Sequence, residues 1–335
     1  PSVSARGGRG DRRGVRADLG IFLVRRLVAG AFLLAAVVAA TFVLISLAPG
    51  DTADVLAGQS GADPAYLELL RQRFHLDQPL AEQVGSYLLA VAQGDLGYSA
   101  VQGEPVSHVI GSRLGASLIL GGTALAFAAL FGVGLGVLAA VYRGGATDGL
   151  ISVLSLLGYS IPVFWLGQLL IALLAVKLRW LPAGGMHTAG QSSGLGDLAR
   201  HLVLPGLTLG TLLLALVVRV TRASMIDTLQ EDYIQAVRAR GMSERRVVLR
   251  HALPNALRPA VTVLTGDLGL VLTGAVLVET VFVWPGLGRL LYDSVLSRDT
   301  PTLVGVLLLS TALVFSANLL ADVLYRILDP RVGFR

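Results

Sequence analysis

The chain of 335 residues contains no cysteine. That excludes disulfides, Cys-ligated zinc, iron–sulfur clusters and thiol catalysis. Charge is scarce as well: 15% of residues are charged, against about 25% in ordinary soluble domains. Of the 27 basic residues, lysine supplies one, Lys177. No G-x-x-x-x-G-K-[ST] phosphate loop is present, so nothing here is built to cradle a nucleotide. The five histidines (His75, His108, His187, His201 and His251) are scattered and form no H-E-x-x-H or paired metal spacing. Catalytic and metal constellations are thus absent from the sequence, and no long internal repeat is visible, which argues against a transporter made of inverted halves.

What fills the chain is apolar. Hydrophobic residues make up 54% and the mean hydropathy is +0.70, so the surplus apolar surface must face lipid. Crossing roughly 30 Å of hydrocarbon takes about 20 helical residues. Stretches of that length lie at about 27–47, 116–141, 150–176, 202–222, 259–283 and 302–325. Six spans place both termini on one side, and the expected fold is an all-α membrane protein. Residues 1–20 are rich in Arg, Gly and Ser and read as a disordered basic tail. The remainder, 21–335, reads as one six-helix transmembrane domain.

Arginine and lysine orient the helices. The side with the termini, the 142–149 turn and the 219–258 loop carries 19 basic residues, and the other side carries 8. The termini are therefore expected in the cytoplasm. The net charge of +5 reads as this topology bias, with no nucleic-acid role. Arg25 and Arg26 before an apolar run suggest a signal peptide, but the run is too long, so a retained anchor is expected.

The extracytoplasmic loop 48–115 reads as a small folded cap. Asp63-Pro64 opens a short helix to about Phe74. Pro79 opens an amphipathic stretch to about Ala92, beyond which Gly94, Gly97 and Gly103 break the chain. Within the spans, Gly132 and Gly136 form a small-xxx-small pair that lets helices approach closely. Pro162 is expected to kink the third span.

The cytoplasmic loop 223–258 is the most informative segment. Tyr233, Ala236, Val237 and Arg240 recur at helical spacing, and Gly241 supplies a left-handed position at the helix end. Ser243 is a suitable N-cap for a second short helix, which Pro254 is expected to close. A packed re-entry loop would explain this weakly, because a few residues suffice to join two spans. A docking element for another protein is the better reading.

Here the chain resembles a known family. The run Glu231-Asp232-Tyr233-Ile234-Gln235-Ala236-Val237-Arg238-Ala239-Arg240-Gly241, followed by Leu253-Pro254-Asn255, resembles the EAA loop of ABC-importer permeases. That motif has a Glu-Ala-Ala triplet shortly before a glycine and a Leu-Pro pair beyond it. Gln235 and Val237 depart from the triplet, as they do in the dipeptide/oligopeptide branch. Also similar to that branch are Leu47-Ala48-Pro49-Gly50-Asp51, Phe74-His75-Leu76-Asp77-Gln78-Pro79-Leu80, Gly94-Asp95-Leu96-Gly97-Tyr98-Ser99, Ile161-Pro162-Val163-Phe164-Trp165-Leu166-Gly167, Glu279-Thr280-Val281-Phe282-Val283-Trp284-Pro285-Gly286-Leu287-Gly288 and Asp329-Pro330-Arg331.

The resemblance implies a type I ABC importer permease in a bacterial cytoplasmic membrane, moving dipeptides or oligopeptides. It implies a second homologous permease, two ABC ATPase subunits and an extracytoplasmic solute-binding protein as partners. ATP and magnesium would bind the ATPases, leaving this subunit without cofactor or catalysis. Tyr233, Gln235, Ala236, Val237, Gly241, Leu253 and Pro254 are the expected ATPase-coupling residues. Nickel-chelate and glutathione importers share these motifs and stand as alternatives. An ion-coupled transporter stands further off, since the hairpin would then lack a purpose.

Polar residues within spans are costly and often functional. Gln168, Asp267 and Glu279 are candidates for the translocation path. For Glu279 a second role is equally open, pinning the outer loop by hydrogen bonds. Asn318 and Asp322 share a helix face and suit packing or capping.

Overall fold

The computed structural model describes residues 11–47, 78–188, 190, 194–266 and 268–328, with backbone alone at 11–23, 268–274 and 321–328. The expected helix at 63–74, the segments Ala48-Pro49-Gly50-Asp51 and Phe74-His75-Leu76-Asp77, Asp267 and the terminal Asp329-Pro330-Arg331 lie outside the described residues.

The helices, in chain order, are α1 (Asp11–Leu47), α2 (Leu80–Ala92), α3 (Val106–Val141), α4 (Ala146–Ser160), α5 (Val163–Leu170), α6 (Leu195–Gln230), α7 (Asp232–Ala239), α8 (Glu244–Arg246), α9 (Leu253–Gly266), α10 (Leu268–Val281), α11 (Leu287–Leu296) and α12 (Thr300–Leu328). Between α2 and α3 lies a hairpin of β1 (Tyr98–Ser99) and β2 (Glu104–Pro105), pairing Tyr98 with Pro105 and Ser99 with Glu104. Gly94, Gly97 and Gly103 all hold positive φ around it, which is why the chain breaks at those three residues. Pro79 occupies the N-cap position of α2.

Among the described residues, four helical stretches are long and apolar enough to cross a membrane: Val24–Leu47, Val106–Val141, Leu195–Gln230 and Thr300–Leu320. α3 and α6, with 36 residues each, extend well beyond the roughly 20 needed. α1 starts at Asp11, inside the stretch read as a tail. Arg12, Arg13, Arg16, Ala17 and Leu19 are all good helix formers.

The third expected span is broken where a kink was expected. α4 and α5, which a π-helical turn (Ile171–Lys177) prolongs, meet at 103°. Pro162 has no N–H to continue the ladder and forces Ile161 into extended backbone, φ −77° and ψ 127°. In the region 259–283, α9 and α10 flank Asp267, which is outside the described residues.

Two compact units divide the chain, residues 1–96 with 307–335, and residues 97–306. In the first, α1 and α12 meet at Gly30, where a Cβ would stand 2.6 Å from the Phe315 ring. Phe42 of α1 and Tyr87 of α2 stack edge-to-face at 5.6 Å.

The second unit is organised around α3 and α6, which run parallel with their backbones in near contact. A Cβ on Gly132 would meet Val217 at 2.7 Å, and one on Gly136 would meet Thr221 at 2.7 Å. The reciprocal pair lies nearer their N-termini, where Gly206 faces Thr123 and Gly210 faces Phe127. Small residues at four-residue spacing on both helices produce this clasp. Its core continues through Ala116, Leu120, Ala124 and Ala128 of α3, Leu204, Leu209 and Leu213 of α6, and Val278, Phe282 and Trp284 beyond.

Candidate functional site

Two constellations lie at opposite ends of the α3–α6 pair. At the C-terminal end is the hairpin of α7, α8 and the start of α9. α7 has only two turns, too short to persist alone, and Ile234 anchors it. Ile234 is fully buried, in one cluster with Ala140 of α3, Met225 of α6 and Val247, Val248, Ala252 and Ala256. On the outer side of α7, Gln235 and Ala236 are exposed, Val237 is half-buried and Tyr233 is 41% exposed. The Tyr233 hydroxyl accepts Asn255 Nδ2–H at 2.8 Å and donates to the His251 carbonyl at 3.3 Å, bridging the two arms.

Gly241 makes the turn with φ +77° and has no atom near its missing Cβ. Its glycine is required by conformation, and its face is left open. Arg238 closes the hairpin, with Nε donating to Glu244 Oε1 at 2.8 Å and Nη1 donating to the Leu229 carbonyl at 3.3 Å. Ser243 stands at the N-cap position of α8 without a side-chain cap bond.

Pro254 does not close the second helix. α8 passes through a π-helical turn (Val247–Ala252) directly into α9, with half-buried Leu253 as its first residue. The wider i→i+5 turn absorbs a residue that cannot donate to an α-helical ladder. Pro254 is thereby left exposed on the hairpin.

The other end carries a buried lock. Glu279 of α10 is fully buried. Its Oε1 accepts the Ser117 hydroxyl at 2.6 Å and its Oε2 accepts the Arg289 N–H at 3.0 Å, while Ser117 Oγ accepts the Leu287 N–H at 2.7 Å. The orphan amides at the start of α11 are thus capped by side chains from α10 and α3. Gly286 and Gly288 permit it, because a Cβ on Gly286 would collide with the Glu279 carboxylate and one on Gly288 with the Val276 backbone. Trp284, fully buried, donates from Nε1 to the Ala116 carbonyl at 2.9 Å. Val283 sits at φ +53°, a strained position for a β-branched residue, with its carbonyl held by Arg289 Nη1 at 3.0 Å.

The loop after α5 is tied to the same lock, since Gly185 N–H donates to the Phe282 carbonyl at 2.8 Å. From the start of α6, Asp197 accepts the Thr188 N–H of that loop at 2.8 Å and its hydroxyl at 2.6 Å, and the His201 ring edge faces the Gly185 carbonyl at 3.0 Å. His201 is a buried strut of the loop.

Of the residues singled out for the path, Gln168 is exposed on α5, Asp267 lies outside the described residues, and Glu279 is enclosed in the lock. Asn318 is exposed on α12. Sequence reasoning missed Ile234 as the anchor of α7, although its isolation among polar neighbours was a usable signal. It also missed Ser117, which nothing in the local sequence marks.

Residues 132–334 match the family described as the binding-protein-dependent transport system inner membrane component. Residues 19–121 match the N-terminal component of such membrane proteins. The chain belongs to this family of transport permeases. The permease is 41% identical to the glutathione transport system permease protein GsiC of Escherichia coli over 94% of its own length and 99% of that protein. It is 40% identical to a putative peptide permease protein of Brucella ovis, covering 93% and 98%. Its fold matches the inward-facing MetNI methionine ABC transporter structure, with a TM-score of 0.55, 19% identity, and coverage of 67% of this permease and 97% of that chain. The all-α type I importer permease fold is thereby established, in an inner-membrane transport protein.

Proposed function

We propose that this permease forms the translocation path of an ATP-driven importer of small peptides, with both termini cytoplasmic, and that hydrolysis takes place on partner subunits. The observation that carries this reading is the hairpin. Its α7 is anchored from behind by Ile234 and presents Gln235, Ala236 and Gly241 with no cover of their own. A rigid element standing on buried anchors suits the transfer of force between subunits, because ATP must favour one of two arrangements of the helices for work to be done. The coupling residues are Tyr233, Gln235, Ala236, Val237, Gly241, Leu253 and Pro254. A second permease, two ATPases bearing ATP and magnesium, and an extracytoplasmic binding protein complete the assembly.

Glutathione, itself a tripeptide, is a second cargo reading, favoured by the name of the 41% identical relative. Gln168 and Asp267 remain the proposed path residues. The test is Ala236→Trp, a change at an exposed position that leaves the anchors untouched. In vesicles containing the complete importer, uptake of labelled tri-alanine and glutathione should collapse. Full uptake by that variant would remove the coupling role from the hairpin.

A further inference from the structure

α4 begins at a carboxylate with little freedom. Asp148, in its first turn, is 5% exposed. Its Oδ1 accepts Arg222 Nε–H at 2.6 Å and its Oδ2 accepts Arg222 Nη2–H at 2.8 Å, a bidentate fork. Oδ2 also accepts the Gly144 N–H at 2.9 Å, and Gly144 turns the chain with φ +76°. One carboxylate therefore folds the turn after α3 and fastens it to α6, across 74 residues of sequence.

An ion pair with its carboxylate buried and its guanidinium half-buried is weak evidence for stability, because desolvation offsets much of the attraction. What a fork supplies is orientation, since two parallel bonds resist rotation where a single bond would not. The position of this fork gives that orientation a use. Arg222 lies three residues before Met225, and Met225 is fully buried in the cluster that holds Ile234 of the hairpin. In the other direction Asp148 opens α4, the first arm of the pair bent by 103°. On the same stretch of α6, Thr221 is pressed against Gly136 of α3. α6 cannot shift at its hairpin end without carrying Arg222, and Arg222 cannot move without carrying the start of α4.

We propose that Asp148 and Arg222 are positioning residues for coupling, delivering displacement of the hairpin through α6 to the bent pair α4–α5. This rests on the hairpin being the ATPase contact. Among the described residues, α4–α5 is the helix pair bent sharply at a short break, so it can change angle without unwinding a helix. The fork acts on its first residues, where the lever is longest. Intermediacy alone does not establish coupling, so the test reads coupling itself.

The complete importer in vesicles carries Ala236→Cys with a cysteine on the facing ATPase, and transport of labelled glutathione or tri-alanine is measured per ATP hydrolysed. In Asp148→Asn the cross-link should persist and ATP should still be hydrolysed, while transport per ATP falls about five-fold or more, the lower range of allosteric coupling. Arg222→Lys keeps the charge but loses the fork, and should fall in the same direction. An assembled, cross-linked variant of either kind with the wild-type ratio overturns the proposal. If Asp148→Asn fails to assemble, Arg222→Lys decides alone. Absence of the cross-link in the otherwise wild-type importer instead overturns the hairpin reading, a separate failure.

Discussion

Truncating Ile234 to alanine isolates the anchor of the hairpin. Its side chain is fully buried, as are those of Met225, Val247, Ala252 and Ala256 in the same cluster. α7 has 8 residues and draws almost no stability from its own hydrogen bonds, since isolated helices below about 12 residues are marginal. The cost of an Ile→Ala cavity, about 2–5 kcal/mol, therefore falls directly on the closing of α7 against the bundle. Local opening should become about 30-fold or more frequent. Hydrogen exchange of the purified protein in lipid nanodiscs reads this directly, with α7 amides losing protection while those of α3 and α6 keep theirs. Tyr233→Phe serves as a control, because it deletes two exposed hydroxyl hydrogen bonds, each worth about 1 kcal/mol, and leaves the anchor in place. Unchanged protection of α7 in a folded Ile234→Ala protein would refute the claim that this cluster holds the hairpin.

The lock and the sidedness of the helices give two further outcomes. Glu279→Ala strands the Ser117 hydroxyl and the Arg289 amide in a buried site, each worth about 1–3 kcal/mol, so thermal unfolding in detergent should move down by several degrees; an unaltered transition would mean the lock is not structural. A cysteine replacing Gln102, beside the exposed β-hairpin, should react with an impermeant thiol reagent in intact cells, and one replacing Ser243 only after lysis. Labelling of the Ser243 position from outside would reverse the proposed topology, and the absence of native cysteine keeps the background clean.

What could be read from the sequence was what local physics dictates. The apolar stretches, the start of α2 at Pro79, the breaks at Gly94, Gly97 and Gly103, the Gly132–Gly136 pair and the turn at Gly241 each leave a signature within a few residues. The two prolines were read by one rule and behaved in two ways. Pro162 turned a span through 103°, whereas Pro254 was carried through on a π-helical turn. The rule describes the missing donor, but the outcome depends on whether neighbouring helices can hold a wider turn. The pairings that organise the candidate sites were not legible at all. Asp148 and Arg222 are 74 residues apart and Ser117 and Glu279 are 162 apart, and separations of that size leave no periodicity to detect. Ile161-Pro162 and Glu279 to Gly288 were visible as patterns, while their geometry waited on the partners that meet them.

The lock also constrains the order in which the protein can be made. Ser117 belongs to α3, and its partner Glu279 comes 162 residues later in the chain. During synthesis the Ser117 hydroxyl enters lipid long before that carboxylate exists. Until then its hydrogen must be satisfied by a carbonyl one turn back on its own helix. The start of α11 faces the same wait in reverse, since the groups that cap its amides already stand on α3 and α10 when Leu287 emerges. α11 is therefore a segment that earlier helices receive and fix in place. A ribosome stalled before Glu279 would leave a bundle clasped along α3 and α6 yet unsealed at that end.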